Sequence, residues 1–266
     1  MTNRISFNRN QIKYIVIIAM LIDHIAWAFV PTGSLLGQVM HFIGRLTGPT
    51  MAFFIAEGYQ HTRNVKKYAA RLGVFAFISW FAFIFCDYGT LLPLTITNGQ
   101  VSAGGMAISF YIASSDLTVN LYPWFGVIYT LFLSLLAIWL WDKGKCPKAV
   151  KIAGIVGLII LSFLGDWPIF DILFALFLFI YRNNPKKKWC SFYIIAGIFF
   201  IMASLMNLDN LKNVLFQLGV FLPPLLLQFF YNGEGGSRKK IHRWFFYVFY
   251  PLHLFIIGLI SYYIGN

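Results

Sequence analysis

The stretch that decides the fold is IKYIVIIAMLIDHIAWAFVP, residues 12–31. It is almost entirely apolar, and its length matches the roughly 20 residues that a helix needs to cross the hydrocarbon core of a bilayer. Asp23 and His24 stand in its middle and no A-x-A cleavage site follows, which argues against a cleaved signal peptide. The stretch therefore predicts a membrane-spanning helix.

The whole chain has the same apolar character. Of its 266 residues, 59% are hydrophobic and 11% are charged, whereas soluble domains carry about 25% charged residues. This composition excludes soluble globular domains and disordered chains. We predict an all-α polytopic membrane protein that forms a single integral membrane domain over residues 1–266. A bundle of about nine transmembrane helices is predicted, at residues 12–31, 38–60, 70–87, 118–140, 149–164, 167–181, 189–206, 211–230 and 244–264.

The net charge of +12 is explained by membrane topology. In the nine-span arrangement, all but two of the 21 Lys and Arg residues fall on one face; the exceptions are Arg45 and Lys212. Cytoplasmic loops carry the excess of Lys and Arg. We therefore expect a cytoplasmic N-terminus, an extracytoplasmic C-terminus and multi-pass insertion in the cell membrane. Membrane lipid is the expected partner, and the basicity gives no support for binding nucleic acid.

Two segments are predicted to depart from straight spans. Gly48 and Pro49 predict a kink in the second span, because proline cannot donate a backbone hydrogen bond. Residues 88–117 form a long loop with two apolar patches, which is either at the surface or re-entrant.

Ionisable residues inside membrane spans are candidates for function, because charge is costly there. The candidates are Asp23, His24, His41, Arg45, Glu57, Asp171 and His253. A neutral His24 near mid-membrane suits a general base. The alternative is that Asp23 and His24 form a structural polar pair that holds helices together.

The second span carries charges at both ends. Arg45 either snorkels to the outer interface, pairs with an acid such as Asp171, or binds an anionic group. Glu57 and His61 are four residues apart and should share a helix face at the cytoplasmic end. That end is either part of a functional site or a solvated helix terminus.

A basic motif follows in HTRNVKKYAAR, residues 61–71. If the segment is helical, Arg63, Lys67 and Arg71 form one stripe, because they recur at a spacing of four. Such a stripe suits phosphates. The competing interpretation is the ordinary positive charge of a cytoplasmic loop.

The last span opens with HRWFFYVFYPLHLF, residues 242–255. Phe246, Tyr250 and His253 fall on one helix face, and Pro251 predicts a bend. His253 lies at a depth similar to that of His24, which suggests a shared pocket. The alternative is a packed aromatic stripe that contains one hydrogen-bonded histidine.

The sequence resembles the TraX family in three blocks. These are IKYIVIIAMLIDHIAW, GRLTGPTMAFFIAEGYQHTRNVKKYAARL and HRWFFYVFYPLHLF, in the same order and at similar spacings. The resemblance implies a bacterial integral membrane acetyltransferase, similar to the wider group of transmembrane acyltransferases that use cytoplasmic acyl-CoA. It implies acetyl-CoA as the donor, an extracytoplasmic acceptor and no metal.

The resemblance also implies roles for particular residues. His24 matches the histidine thought to be catalytic in the first helix, and Asp23 would fix either its tautomer or the neighbouring helix. Arg63, Lys67 and Arg71 match a donor-binding motif after the second helix, and the same block adds Glu57, His61 and Tyr68 to the donor site. Arg45, Tyr250 and His253 would line the acceptor pocket.

Two other functions remain open at this level. Asp23, His24 and His253 could instead form the relay of a small-solute or proton-coupled transporter. The chain could also be a non-catalytic membrane subunit of a conjugation or secretion apparatus. The acceptor is likewise open, since a protein N-terminus, a glycan, a lipid and a small amine all fit.

Overall fold

A computed structural model describes residues 5–98, 107–237 and 239–265. Within these ranges the chain is mainly helical, with the following α-helices: α1 (Arg9–Phe29), α2 (Leu35–Gly44), α3 (Thr47–His61), α4 (Val65–Tyr88), α5 (Val127–Lys143), α6 (Lys148–Ser162), α7 (Phe170–Ile180), α8 (Pro185–Leu205), α9 (Leu222–Phe229) and α10 (Lys240–Gly265). A 3₁₀ segment, Leu208–Phe221, joins α8 to α9.

Five helical segments in the described part of the chain are long and apolar enough to cross a membrane. They are Arg9–Phe29, Val65–Tyr88, Pro185–Leu205, Leu208–Phe229 and Lys240–Ile264. All five overlap predicted spans. Apolar side chains such as Val74, Phe77 and Ile78 are exposed on their surfaces, as expected where lipid rather than water is the solvent. The fold is that of a helical membrane protein.

The prediction that the chain is entirely α-helical was wrong. Strands β1 (Leu94–Asn98), β2 (Ile108–Ile112) and β3 (Leu117–Leu121) form a small antiparallel sheet in the order β1-β3-β2. The predicted fourth span, 118–140, accordingly begins as a strand, and its helix starts only at Val127. Alternating Thr and apolar residues favour this strand pairing. The rest of the predicted loop, residues 99–106, lies outside the described residues.

The predicted second span is two helices. The break falls at Arg45 and Leu46, between α2 and α3, and not at the predicted kink of Gly48 and Pro49. Pro49 lies in the first turn of α3, where its missing N–H has no intrahelical partner to lose. His41 in α2 and Arg45 at its end are four residues apart, and both reach Asp23 on α1.

The predicted basic stripe does not exist as one helical face. α3 ends at His61, and α4 begins at Val65 with the Asn64 side chain accepting the backbone N–H of Lys67 at 2.9 Å. Asparagine is a favoured N-cap because its side-chain oxygen satisfies a free N–H. Arg63 is therefore in the connecting loop, and only Lys67 and Arg71 share a helix.

The basic segments meet at one end of the bundle, which we call the basic end. Arg9 binds Glu57 near the end of α3, and Tyr59 donates to Asp142 near the end of α5 at 2.7 Å. Arg182 and Lys188 line a cavity together with Glu57, and Lys239 and Lys240 line another with Arg9. Arg4 and Arg238 lie outside the described residues.

Candidate functional site

Two histidines from the first and last helices are in direct contact. Nδ1 of His24 on α1 lies 2.7 Å from Nε2 of His253 on α10, and Nδ1 of His253 lies 2.8 Å from the carbonyl oxygen of Phe249. A carbonyl only accepts, so Nδ1 of His253 carries its proton. In a neutral pair, Nε2 of His253 then accepts from Nδ1–H of His24. The remaining lone pair is on Nε2 of His24, as a general base requires.

Aromatic packing holds the histidine pair in place. The ring of Phe249 stacks on His253 at 5.0 Å, and Tyr250 meets His24 edge-on at 6.1 Å. The hydroxyl of Tyr250 accepts the backbone N–H of Val127 at 3.1 Å. A Cβ on Gly126 would overlap this hydroxyl, so only glycine permits the approach. Tyr250 thereby connects α10 to the start of α5.

Asp23 points away from His24, toward α2. Its Oδ1 accepts from Nδ1 of His41 at 2.7 Å, and its Oδ2 accepts from Nη2 of Arg45 at 2.8 Å. The guanidinium lies between the rings of Trp167 and Phe216, 5.1 and 5.2 Å from their centres. Of the two roles considered for Asp23, this geometry is that of a residue that fixes the neighbouring helix.

The structure decides among the alternatives for Arg45. It is buried and paired with Asp23, so it neither snorkels to an interface nor pairs with Asp171. Asp171 is fully buried and accepts instead from the hydroxyl of Thr130 at 2.8 Å. With one carboxylate already bound, Arg45 is poorly placed to hold a second anion.

A cavity of about 910 Å³, which we call the basic cavity, opens between α1, α3, α4, α5 and α10. Its polar lining residues include Arg9, Asn10, Lys13, His61, Arg63, Tyr68, Arg71, Lys239, Lys240 and His242. The volume lies near the upper end of the range for small-molecule and cofactor sites, about 300–1,000 Å³. Among the described residues that line it there is no acid, so the cavity suits a large anion.

The basic cavity also reaches deep into the bundle. Ile128 and Leu131 line it, and by the rise of about 1.5 Å per residue Ile128 lies roughly 22 Å along α5 from Lys143 at the basic end. Ile128 directly follows Val127, which binds the hydroxyl of Tyr250. Tyr250 and His24 do not themselves line the cavity, which ends at Ile128, one residue from the partner of Tyr250.

Four of the predicted donor-site residues line this cavity: His61, Arg63, Tyr68 and Arg71. Lys67 is exposed and does not line it. Glu57 does not line it either, but it binds a residue that does: it accepts from Arg9 at 2.9 Å, and also from Tyr231 at 2.6 Å. Burial, together with the hydrogen bond to Glu57, raises the pKa of the Tyr231 hydroxyl, so Tyr231 keeps its proton and donates. Glu57 and His61 approach to 3.9 Å on one helix face.

The sequence interpretation missed five cavity residues: Arg9, Lys13, Lys239, Lys240 and His242. The four Lys and Arg residues among them were assigned to topology alone. Lys13 lies over the rings of Phe54 and Phe246, and His242 accepts from or donates to the hydroxyl of Tyr14 at 2.8 Å. The available signal was the position of these residues at the very start of the first and last spans, where helix ends converge.

Fold and site together define a helical membrane protein with a deep basic cavity and a histidine pair. A family model described as TraX protein matches residues 8–98 and 106–261, and the chain belongs to this family. It is 31% identical over 265 residues to a protein of Dichelobacter nodosus named probable fimbrial assembly protein FimC, serogroup H1, with 97% of each chain covered. No solved structure matches the chain. The resemblance to the TraX family is thus confirmed.

Proposed function

We propose that the protein is an acetyltransferase that moves an acetyl group from cytoplasmic acetyl-CoA to an amine or hydroxyl on the other side of the bacterial cell membrane. The observation that carries this proposal is the basic cavity, which runs from a cluster of cations to Ile128, next in sequence to the residue that binds the Tyr250 hydroxyl. Membership of the TraX family supports it. In the proposed orientation, the nine predicted spans place the basic end in the cytoplasm.

The donor enters from the basic end. The phosphates of CoA bind Arg63, Arg71 and their neighbours at the mouth, where Arg–phosphate contacts are charge-assisted and geometrically matched. The pantetheine arm extends along the apolar part of the cavity toward Ile128. The thioester then lies near Tyr250 and His24.

His24 acts as the base in the transfer step. Its Nε2 takes the proton of the acceptor as the nitrogen or oxygen attacks the thioester carbonyl carbon. The carbon–sulfur bond then breaks, and the CoA sulfur leaves with the proton that His24 returns. The products are the acetylated acceptor and free CoA. His253 positions His24 through Nδ1, and Tyr250 and His253 border the space for the acceptor.

A second function, non-catalytic participation in fimbrial assembly, has one supporting observation. This is the name of the relative from Dichelobacter nodosus, which describes an assembly protein. An assembly subunit needs no cavity for acetyl-CoA, so donor binding separates the two proposals.

The test uses the purified full-length protein in lipid nanodiscs. We expect it to bind acetyl-CoA and to release CoA thiol slowly, with faster release when amine acceptors are added. The matched control is His24→Ala, which should bind acetyl-CoA but release no thiol above background. A wild-type protein that neither binds nor cleaves acetyl-CoA would favour the assembly role.

A further inference from the structure

A second cavity lies at the basic end, between α3, α7, α8 and α9; we call it the side cavity. Its volume is about 450 Å³, within the range of small-molecule sites. His61 and Gly233 line both cavities. The bonds of Glu57 to Arg9 and Tyr231 stand between them. The side cavity is therefore adjacent to the proposed donor site, and the hydrogen-bonded group of Glu57, Arg9 and Tyr231 lies between the two.

Within the part of the chain that the structure describes, the two cations of the side cavity, Lys188 and Arg182, make no ion pair. Nζ of Lys188 lies over the rings of Phe53 and Trp189, at 4.5 and 5.0 Å, and makes no ion pair within the described residues. Arg182 donates to the carbonyl oxygen of Phe179 at 3.0 Å. Glu57 also lines the cavity, but Arg9 already neutralises it. The lining thus has positive charge that an anion would balance.

The remainder of the lining is apolar and aromatic. Phe53, Leu178, Trp189 and Leu227 contribute to it. Tryptophan is enriched at membrane–water interfaces, where its ring spans the headgroup region. About one turn beyond Trp189 on α8, Tyr193 is exposed, and the next residue, the apolar Ile194, is exposed on the outer surface of the bundle. Cations, aromatic rings and an exposed apolar surface are therefore contiguous at one helix end.

We propose that the side cavity binds the headgroup of an anionic phospholipid from the leaflet at the basic end. Lys188 and Arg182 contact the phosphate, and the acyl chains lie along the exposed surface of α8 near Ile194. Basic pockets between transmembrane helices on the cytoplasmic side recognise such headgroups. The apolar lining favours a lipid over free phosphate, and the wall at Glu57 separates this ligand from the donor. The site is independent of any transfer activity.

The experiment measures lipid binding to the detergent-purified full-length protein by native mass spectrometry. Phosphatidylglycerol, phosphatidylcholine and inorganic phosphate are the probes. We expect phosphatidylglycerol to bind, and Lys188→Met to weaken this binding about 10-fold or more, as expected for loss of a charge-assisted contact. Lys186→Met is the matched control, since Lys186 is exposed on the first turn of the same helix and does not line the cavity. It should bind like wild type.

Several results would overturn the proposal. Equal binding of phosphatidylcholine, whose choline cation offsets the phosphate, would show that the cavity does not select an anionic headgroup, and competition by millimolar inorganic phosphate alone would show a free-anion site. If Lys188→Met and Lys186→Met weaken phosphatidylglycerol binding equally, the cavity does not bind the headgroup, and these lysines only contribute to membrane topology. Loss of acetyl-CoA binding in Lys188→Met, with phosphatidylglycerol binding retained, would assign the cavity to the donor. Arg182→Gln serves as a second variant, and it should show the same selective loss even if Lys188→Met does not fold.

Discussion

Asp23 and His24 are neighbours in sequence, but their side chains bind different helices. Asp23 pairs with Arg45 just beyond α2, whereas His24 pairs with His253 on α10. Successive residues of a helix point about 100° apart, so a single turn of α1 can bind α2 through Asp23 and α10 through His24. The ion pair and the proposed base are therefore separate units, and substitutions should separate stability from transfer.

The first prediction concerns the histidine pair. His24→Ala should lower transfer about 10²–10⁴-fold, the usual contribution of a general base, with folding and acetyl-CoA binding retained. His253→Gln should lower kcat less, with an unchanged KM for acetyl-CoA, because His253 only orients His24. Steady-state kinetics on the purified variants gives both constants. Wild-type turnover in His24→Ala would move the base to another residue.

The second prediction concerns the pair of Asp23 and Arg45. Asp23→Ala leaves a buried guanidinium without its partner, which typically costs about 3–5 kcal/mol. The double variant Asp23→Ala, Arg45→Met removes both charges and should recover part of this loss. Asp209→Ala is the control, because Asp209 is exposed and should change stability little. Thermal unfolding in detergent measures all three. A double variant no more stable than Asp23→Ala would contradict the role of the ion pair.

The third prediction uses the close packing beneath Asp23. A Cβ on Gly44 would overlap the side chain of Asp23, so Gly44→Ala should displace the carboxylate from Arg45 and His41. We expect lower thermal stability, of the order of 1–3 kcal/mol as is typical of overpacking. Gly157→Ala is the control, since a Cβ there meets nothing within 4 Å. Equal stability of the two variants would contradict the contact.

The membrane class and the positions of α1, α4, α8 and α10 could be predicted from the sequence. Long apolar runs and the distribution of Lys and Arg are local signals, and they survive in the structure. The depth match of His24 and His253 was also predictable, because each lies at a countable distance along its span. The tautomers of His253 and His24 could not be predicted from the sequence, because they depend on which ring nitrogen of His253 faces the carbonyl oxygen of Phe249.

Other features depend on contacts between distant segments. Nothing near Arg45 in sequence specifies Asp23 rather than Asp171 as its partner, because the choice follows from the packing of α1 against α2. The sheet that includes Leu117–Leu121 was missed because an apolar run fits a span or a strand equally well. Lys67 was assigned to the donor site by its spacing and by the resemblance to the TraX family, but on α4 its side chain is exposed and does not line the basic cavity.

The fourth prediction tests the membrane orientation. In a variant whose native cysteines are replaced by serine, Lys66→Cys and Lys186→Cys should react with an impermeant thiol reagent only after the cytoplasm is opened. Asp209→Cys and Tyr263→Cys should react in intact cells. All four side chains are exposed, so accessibility within the fold does not limit the reaction. A Tyr263→Cys variant that reacts only from the cytoplasm would contradict the nine-span topology.

The last prediction concerns the donor phosphates. Arg63 and Arg71 line the basic cavity, Arg63 exposed and Arg71 half-buried, whereas Lys67, four residues from each, is exposed and does not line it. The double variant Arg63→Ala, Arg71→Ala should weaken binding of CoA by about 1–3 kcal/mol, or roughly 5- to 150-fold, the range for loss of charge-assisted contacts. Lys67→Ala removes the same charge from the same motif and should bind CoA like wild type. Isothermal titration measures the affinity for CoA at two salt concentrations. Long-range attraction by exposed charges should weaken strongly at high salt, whereas direct contacts with partly buried charges should weaken less, because salt screens exposed charges more than buried ones. If Lys67→Ala weakens CoA binding by as much per charge removed as the double arginine variant does, the motif acts only through its total charge. The cavity geometry then does not select the donor.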